Sequence, residues 1–192
     1  MLERMKEGDV LLYIDSDFRC TAEIKQYFCL AHSHHVVGFH HSNAAYKLSR
    51  LASRDAMILM DLDSAAVADS VQASGGNILF RKSQFTVDFV REMASYSQQH
   101  EIASGFGRDS QFGDNWPQYT AEKLHQADQA ISSLMLVKHK LKTFPWSADG
   151  YGAGSDDDLN LAQRAEAGLT RTSVGIHVRD DMKVAWTADQ YS

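Results

Sequence analysis

Two aspartates stand two residues apart directly after an apolar run near the start of the sequence, in LLYIDSDFRC (11–20). The apolar run 10–14 predicts a buried strand covered on both faces, so Asp15 and Asp17 lie at its carboxyl end. Alternation along an extended chain points both carboxylates to the same side, where they repel each other. A divalent cation relieves that repulsion, and carboxylate oxygens suit Mg²⁺ and Mn²⁺. The pair therefore predicts a metal site that binds substrate phosphate; incidental acids in a solvated turn are the alternative.

A third aspartate, Asp128, stands within a helix predicted over residues 120–139. It lies four residues after Leu124 and three before Ile131, both of which belong to the apolar stripe of that helix. A carboxylate on an apolar stripe costs free energy unless it is paired or functional. Asp128 is therefore expected to be paired or to have a function. The alternative is a helix rotated so that Asp128 meets solvent.

Strands and helices alternate along the chain, which predicts an α/β protein with a mixed sheet flanked by helices. The sequence shows no domain boundary, so a single domain is expected over 1–192. Strands are predicted at 10–14, 35–39, 77–81, 142–144, 173–178 and 183–186, and helices at 21–31, 43–60, 84–96 and 120–139. Ser83 is the expected N-cap of the third helix, and a turn is expected at Gly8-Asp9. The pair Gly75-Gly76 is expected to break the chain before the third strand. Long loops are predicted at 101–119 and 147–172.

Composition excludes several functional classes. The chain has 192 residues and a net charge of −6, so it offers no general basic surface for nucleic acid. It has no apolar run of about 18 residues, so no transmembrane segment is expected. Its charged N-terminus is not a secretory signal. Cys20 and Cys29 match no metal or redox spacing and are interpreted as reduced thiols, which favours a cytoplasmic location.

Three stretches resemble successive blocks of a known family in their order and spacing. They are GDVLLYIDSDF (8–18), QASGGNILFRKSQFTVDFVREM (72–93) and LHQADQAISSLMLVKHKL (124–141). Two weaker blocks are RLASRDAMILMDLDS (50–64), with an Arg-Asp pair before a helix, and VGIHVRDD (174–181). The set resembles GT-A-fold nucleotide-sugar glycosyltransferases of bacterial capsular and lipopolysaccharide synthesis.

The resemblance implies a Rossmann-like sheet and a metal-dependent sugar transfer from a nucleotide diphosphate. Mn²⁺ or Mg²⁺ would bind the donor diphosphate through Asp15, Asp17 and His177, although His177 as an ordinary core or surface histidine is the alternative. Asp128 would be the base for the acceptor hydroxyl in an inverting reaction, or would orient the sugar in a retaining one. The residues implied to bind substrate are Gln72, Ala73, Ser74, Gly75, His125 and Gln129.

The acceptor implied by the resemblance is a saccharide or a lipid-linked saccharide, with membrane contact through partners. In the resembled fold a nucleotide-binding half precedes the Asp-x-Asp strand, so this chain is expected to lack the N-terminal strands. It would then carry an unpaired sheet edge open to association. Two alternatives remain open: a dehalogenase-type phosphatase with Asp15 as nucleophile, although Arg19 stands where that class has Thr or Val, and a non-catalytic, transferase-like interaction protein.

Overall fold

The computed structural model describes residues 1–15, 18–20, 25–40, 46–104, 118–120, 125–145 and 176–178, with backbone only at 18–20, 25–27, 145 and 176–178. The strands are β1 (Val10–Ile14), β2 (Phe18–Cys20), β3 (Val36–His40), β4 (Ala73–Arg81), β5 (Thr143–Pro145) and β6 (Ile176–Val178). The helices are α1 (Lys25–Ser33), α2 (Leu48–Leu51), α3 (Arg54–Leu59), α4 (Ala65–Ala68), α5 (Gln84–Ser97), α6 (His100–Ala103) and α7 (Ala127–Lys138). The predicted α/β class is confirmed.

The chain groups into two compact units. The first contains residues 1–42, 76–87 and 142–192, and the second contains 43–75 and 88–141. The first unit carries a four-stranded sheet of order β1-β4-β3-β5 and a two-stranded sheet of β2 and β6. In the larger sheet β1 and β4 are antiparallel, whereas β3 and β5 are parallel. The predicted mixed sheet is therefore also confirmed.

The strand β1 is the end strand of the larger sheet and is covered on one face. Val10, Leu12 and Ile14 are buried, whereas the side chain of Tyr13 between them is 40% exposed. The prediction of a strand covered on both faces is therefore wrong. The physical reason is its antiparallel pairing at a sheet edge, where one face packs on the core and the other meets water.

The strand β4 begins four residues earlier than predicted and contains Gly75 and Gly76 within it. Those glycines therefore do not break the chain. After β4, the predicted N-cap of α5 is confirmed: the hydroxyl of Ser83 accepts the backbone N–H of Thr86 at 3.2 Å. Thr86 in turn donates its hydroxyl to the carbonyl oxygen of Arg81 at 2.7 Å, so the turn between β4 and α5 is fixed from both sides.

The second unit is built mainly of helices, and two of them differ from the prediction. The helix expected over 43–60 is divided into α2 and α3 by extended residues Ala52 and Ser53. The hydroxyl of Ser53 accepts the N–H of Ala56 at 3.2 Å and so begins α3. The helix expected from Thr120 begins only at Ala127 but ends at Lys138, as predicted.

The loop expected at 101–119 is wrong at its beginning, because residues 101–103 belong to α6. The other predicted elements agree in type where the structure describes them. The helix expected at 21–31 is α1, and the strands expected at 35–39, 142–144 and 173–178 are β3, β5 and β6. The N-terminal turn is confirmed by Gly8, whose φ is +89°. The strand at 183–186 and the loop at 147–172 lie outside the described residues. Among the described residues, no helix is long and apolar enough to cross a membrane. The thiol of Cys29 is free and exposed.

Candidate functional site

In the first unit, Asp15 directly follows β1 and extends its pairing with β4 by one residue. The backbone N–H of Asp15 donates to the carbonyl oxygen of Gly76 at 2.9 Å. The carboxylate oxygen Oδ1 of Asp15 accepts a hydrogen bond from the hydroxyl of Tyr13 at 2.7 Å. The two side chains therefore share one face of the sheet. The half-exposed carboxylate keeps oxygen lone pairs with which to bind a cation.

The other two predicted metal ligands, Asp17 and His177, stand next to or in the paired strands β2 and β6. The register places His177 opposite Arg19, and Arg19 stands two residues after Asp17 in the chain. Opposite residues of antiparallel strands have Cα atoms only about 5 Å apart. Asp17 and the side chain of His177 lie outside the described residues, so this ligand set stays a prediction. In the part of the chain that is described, no three His, Cys, Asp or Glu side chains form a metal site.

In the second unit, the beginning of β4 and the beginning of α7 are joined by hydrogen bonds. The hydroxyl of Ser133 accepts the backbone N–H of Ala73 at 3.0 Å and donates to the carbonyl oxygen of Gln129 at 2.7 Å. The side-chain amide of Gln129 donates to Oε1 of Gln72 at 3.0 Å. The structure therefore brings together Gln72, Ala73 and Gln129, three of the residues that the resemblance assigns to substrate.

A close approach of two backbones accompanies these hydrogen bonds. A Cβ atom on Gly75 would lie 2.9 Å from Cβ of Gln129 and 3.2 Å from its Cα. Side-chain carbons do not pack at such distances, so only glycine fits at this position. The glycine that the sequence suggested as a chain break is instead a point of contact between β4 and α7.

Asp128 is exposed in the first turn of α7. The prediction that it shares the apolar stripe is wrong, although Ile131, Leu134 and Met135 of that stripe are buried. The reason is that α7 begins at Ala127, so Asp128 is its second residue. A carboxylate there is stabilised by the free N–H groups and the positive end of the helix dipole.

The amides of Gln72 and Gln129 present different groups to their surroundings. The Nε2 of Gln129 is engaged by Gln72, and among the described residues its Oε1 accepts no hydrogen bond. Together with the carboxylate of Asp128, the Oε1 of Gln129 therefore gives the first turn of α7 two kinds of side-chain acceptor. Gln72 is fully buried, and its Nε2 has no hydrogen-bond partner in the described part of the chain. Ser74 is also buried.

His125 is buried at the approach to α7. Its Nδ1 accepts the backbone N–H of Ser53 at 3.0 Å, which requires a neutral ring with the proton on Nε2. Burial lowers the pKa of His125, and the backbone of Ile102 opposes that shift more weakly. No described residue meets hydrogen-bond geometry at Nε2. His125 thus joins the start of α3 to the start of α7, a connection that the sequence analysis did not foresee.

A second set of residues that the sequence analysis missed joins Arg54, Asp63 and Tyr119. Arg54 binds Asp63 through Nε and Nη2, each at 3.0 Å. The hydroxyl of Tyr119 donates to the same carboxylate at 2.7 Å, and the guanidinium lies 4.7 Å from the centre of the Tyr119 ring. Asp55 is buried.

The electrostatics of this triad favour its charged form. Burial by itself would raise the pKa of Asp63, but hydrogen bonds from Arg54 and Tyr119 outweigh it and lower that pKa overall. The hydrogen bond to Asp63 in turn raises the pKa of Arg54. Gln118 and Thr120, on either side of Tyr119, also form hydrogen bonds. Oε1 of Gln118 accepts the backbone N–H of Arg54 at 2.6 Å. The hydroxyl of Thr120 donates to the carbonyl oxygen of Ser49 at 3.1 Å. Residues 118–120 are therefore fixed against α2 and α3.

The last turn of α7 is held by α5. Glu92 accepts from Lys138 at 2.9 Å and from Nε2 of His139 at 2.7 Å. Burial alone would raise the pKa of Glu92, but these two partners outweigh it and lower the pKa. Lys138 also bonds the hydroxyl of Tyr96. Helix α7 is thus fixed at its carboxyl end by charge and at its amino end by contact with β4.

Replacing Asp63 with alanine is expected to destabilise the protein by about 1.5 kcal/mol, because Arg54 then stays mostly buried without its partner. The side chains of Arg54 and Asp63 are only 18% and 14% exposed. Asp69→Ala is the matched control, because Asp69 pairs with Lys47 while 71% exposed and should contribute less than about 0.5 kcal/mol. Urea denaturation of the two variants measures both values. Equal losses would contradict a stabilising role for the triad.

The lowered pKa of His125 predicts a loss of stability in mild acid. Its usual pKa is 6.5; below that value the unfolded chain binds a proton that the folded chain refuses. The free energy of unfolding therefore decreases as the pH is lowered below the usual pKa, by up to about 1.4 kcal/mol per pH unit. Above the usual pKa, His125 is neutral in both the folded and the unfolded chain, so the protein keeps its full stability.

Denaturation of wild type and His125→Asn at about pH 7.5 and about pH 5.5 measures this contribution. The asparagine oxygen keeps an acceptor for Ser53 but does not titrate, so His125→Asn should lose less stability than wild type on acidification. His100→Asn, which removes an exposed histidine, should behave like wild type. An unchanged pH dependence in His125→Asn would refute the assignment of the neutral ring.

The structure thus places the predicted site residues in two groups, Asp15 in the first unit and Gln72–Gly75 with His125–Gln129 in the second. The second group is joined by hydrogen bonds and by the contact at Gly75. Comparisons of the chain with protein-family models, with curated proteins and with solved structures each gave no significant match.

Proposed function

We propose that this protein is a metal-dependent glycosyltransferase that moves a sugar from a nucleotide-diphosphate donor to a saccharide or lipid-linked acceptor. The observation that carries the proposal is the hydrogen bond from Gln129 to Gln72. It joins two sequence blocks, 72–93 and 124–141, that the resemblance assigns to the sugar or acceptor pocket. The two residues are 57 positions apart in the chain, so their contact is not a consequence of closeness in sequence.

The polarity of the first turn of α7 suits a sugar hydroxyl. Asp128 is exposed, and Gln129 has its donor group engaged by Gln72. The side-chain acceptors of this turn can bind ligand groups that donate, as hydroxyls do. In an inverting reaction the Asp128 carboxylate would take the proton of the acceptor hydroxyl as it attacks the sugar. In a retaining reaction it would orient the sugar through the same hydrogen bond.

The residues at the end of β1 fit a hard divalent cation. Asp15 offers a half-exposed carboxylate with free lone pairs. Asp17 and His177 would complete the ligand set, and the register that places His177 opposite Arg19 supports this assignment. Bound Mn²⁺ or Mg²⁺ would supply Lewis-acid stabilisation to a leaving diphosphate. The hydroxyl of Tyr13 would hold the Asp15 carboxylate in a fixed orientation.

Neither alternative is supported by a specific observation. A dehalogenase-type phosphatase would have Thr or Val where this chain has Arg19. A non-catalytic interaction protein would not need the acceptor groups of Asp128 and Gln129. The proposed transferase would act in polysaccharide synthesis in the cytoplasm, with membrane contact through partners.

Binding of nucleotide sugars should depend on a metal and on both acids of the Asp-x-Asp pair. With Mn²⁺ and a panel of UDP- and GDP-sugars, calorimetry should show saturable binding that chelation abolishes. Asp15→Asn and Asp17→Asn should each weaken it by at least about ten-fold, the loss of about 1.4 kcal/mol. Asp61→Asn, from the second Asp-x-Asp pair in the sequence, is the control and should bind like wild type. Metal-independent binding, or none with any donor, would refute the proposal.

A further inference from the structure

We infer that Gly75 is a positioning residue for the first turn of α7. Its missing side chain lets Gln129 pack directly on β4, which holds the Gln129 amide on Gln72 and fixes where Asp128 meets solvent. The functional consequence rests on the proposed glycosyl transfer, whereas the positioning itself does not. Gly75 would thus act on the reaction through α7 and not through contact with substrate.

The geometry leaves little room for any other residue. A Cβ atom on Gly75 would meet Cβ, Cα and Cγ of Gln129 at 2.9, 3.2 and 3.3 Å. Two of these atoms are fixed by the helix backbone, so they do not swing aside as the end of a long side chain would. An alanine at this position therefore has to displace the start of α7 or the start of β4.

The start of α7 depends on such contacts because it has no cap of its own. The N-cap residue Gln126 makes no side-chain capping hydrogen bond. Its backbone N–H donates to the carbonyl oxygen of Leu51 at 3.0 Å, and Ser133 binds Ala73. Helix ends without caps fray unless tertiary contacts hold them. The opposite end of α7 is held by Glu92, so displacement by an alanine would be concentrated in the first turn.

The hydrogen bond between the two glutamines would be the first interaction lost. Gln129 is the residue against which the new Cβ would press, and its amide donates to Oε1 of Gln72. Gln72 is fully buried, and its Nε2 already lacks a partner among the residues that the structure describes. Loss of the remaining side-chain partner would leave the whole carboxamide unsatisfied, which adds to the cost of the displacement.

A double-mutant cycle with hydrogen exchange tests the positioning without any ligand. Gly75→Ala should speed amide exchange at residues 127–131 by about ten-fold or more, with less than about two-fold change at the Lys138 end. In a Gln129→Gly background, which removes Cβ and Cγ, the same substitution should add less than about two-fold. Gln129→Ala keeps the Cβ at 2.9 Å and should not relieve the effect, so it is the matched control.

Each outcome of the cycle decides the inference. If Gly75→Ala does not fold, then recovery of the fold in Gly75→Ala/Gln129→Gly, but not in Gly75→Ala/Gln129→Ala, supports it. Failure of both double variants overturns it. Unchanged exchange at the start of α7 in Gly75→Ala, or an equal effect in the Gln129→Gly background, also overturns it.

An activity measurement separates this inference from the proposed function. With Mn²⁺ and a nucleotide sugar that wild type binds, Gly75→Ala should lower kcat for transfer or donor hydrolysis by about ten-fold or more and change the donor KM by less than about three-fold. Adding it to Gln129→Gly should cost little further kcat. If wild type binds no nucleotide sugar, the proposed function fails, and the exchange cycle alone still decides the role of Gly75.

Discussion

The packing of the first turn of α7 against the beginning of β4 is the contact on which the candidate site of the second unit depends. It combines an approach that only glycine permits, at Gly75, with hydrogen bonds from Ser133 and Gln129. The distance and the hydrogen bonds require each other, because the glutamine amide reaches Gln72 only when its own Cβ lies against the strand. The position of Asp128 follows from the same contact, since it precedes Gln129 in the turn.

Buried polar groups, more than surface ion pairs, fix the rest of that unit. His125 joins α3 to the start of α7 through one N–H, and Arg54, Asp63 and Tyr119 form a charged triad with low exposure. A buried polar group without a partner lowers the stability of the fold, whereas an exposed ion pair adds little to it. Their value is therefore geometric: each admits one arrangement of partners and excludes the shifted alternatives that an apolar contact alone would tolerate.

Local patterns in the sequence were enough to predict the α/β class, the mixed sheet and most elements. Apolar runs located β1 and β3, and Ser83 located the start of α5, because these signals act within a few residues. The division of α2 from α3 at Ser53, and the late start of α7 at Ala127, were missed. Helix propensity across 43–60 is high, but the cap at Ser53 and its bond to His125, 72 residues away, override it.

The sequence identified only some of the residues that the structure brings together around the start of α7. The grouping of Gln72 and Gly75 with Gln129 agrees with the order of blocks that the resemblance assigned to substrate. The contacts of Arg54 were missed because its partners, Asp63 and Tyr119, have no spacing that marks them as partners. The burial of His125 and the exposure of Asp128 follow from where α7 begins, which periodicity alone placed several residues too early.

The proposed function requires that the first turn of α7 present Asp128 and Gln129 to a sugar. Nuclear magnetic resonance can follow this contact through the side-chain amides of Gln72 and Gln129 during titration with Mg²⁺ and the nucleotide sugars. We predict that the Gln129 amide and the Asp128 backbone resonance shift saturably with one donor, at the affinity measured for the whole protein, and that the Gln72 amide follows. Saturable binding that shifts other resonances while these stay unmoved would contradict the claim.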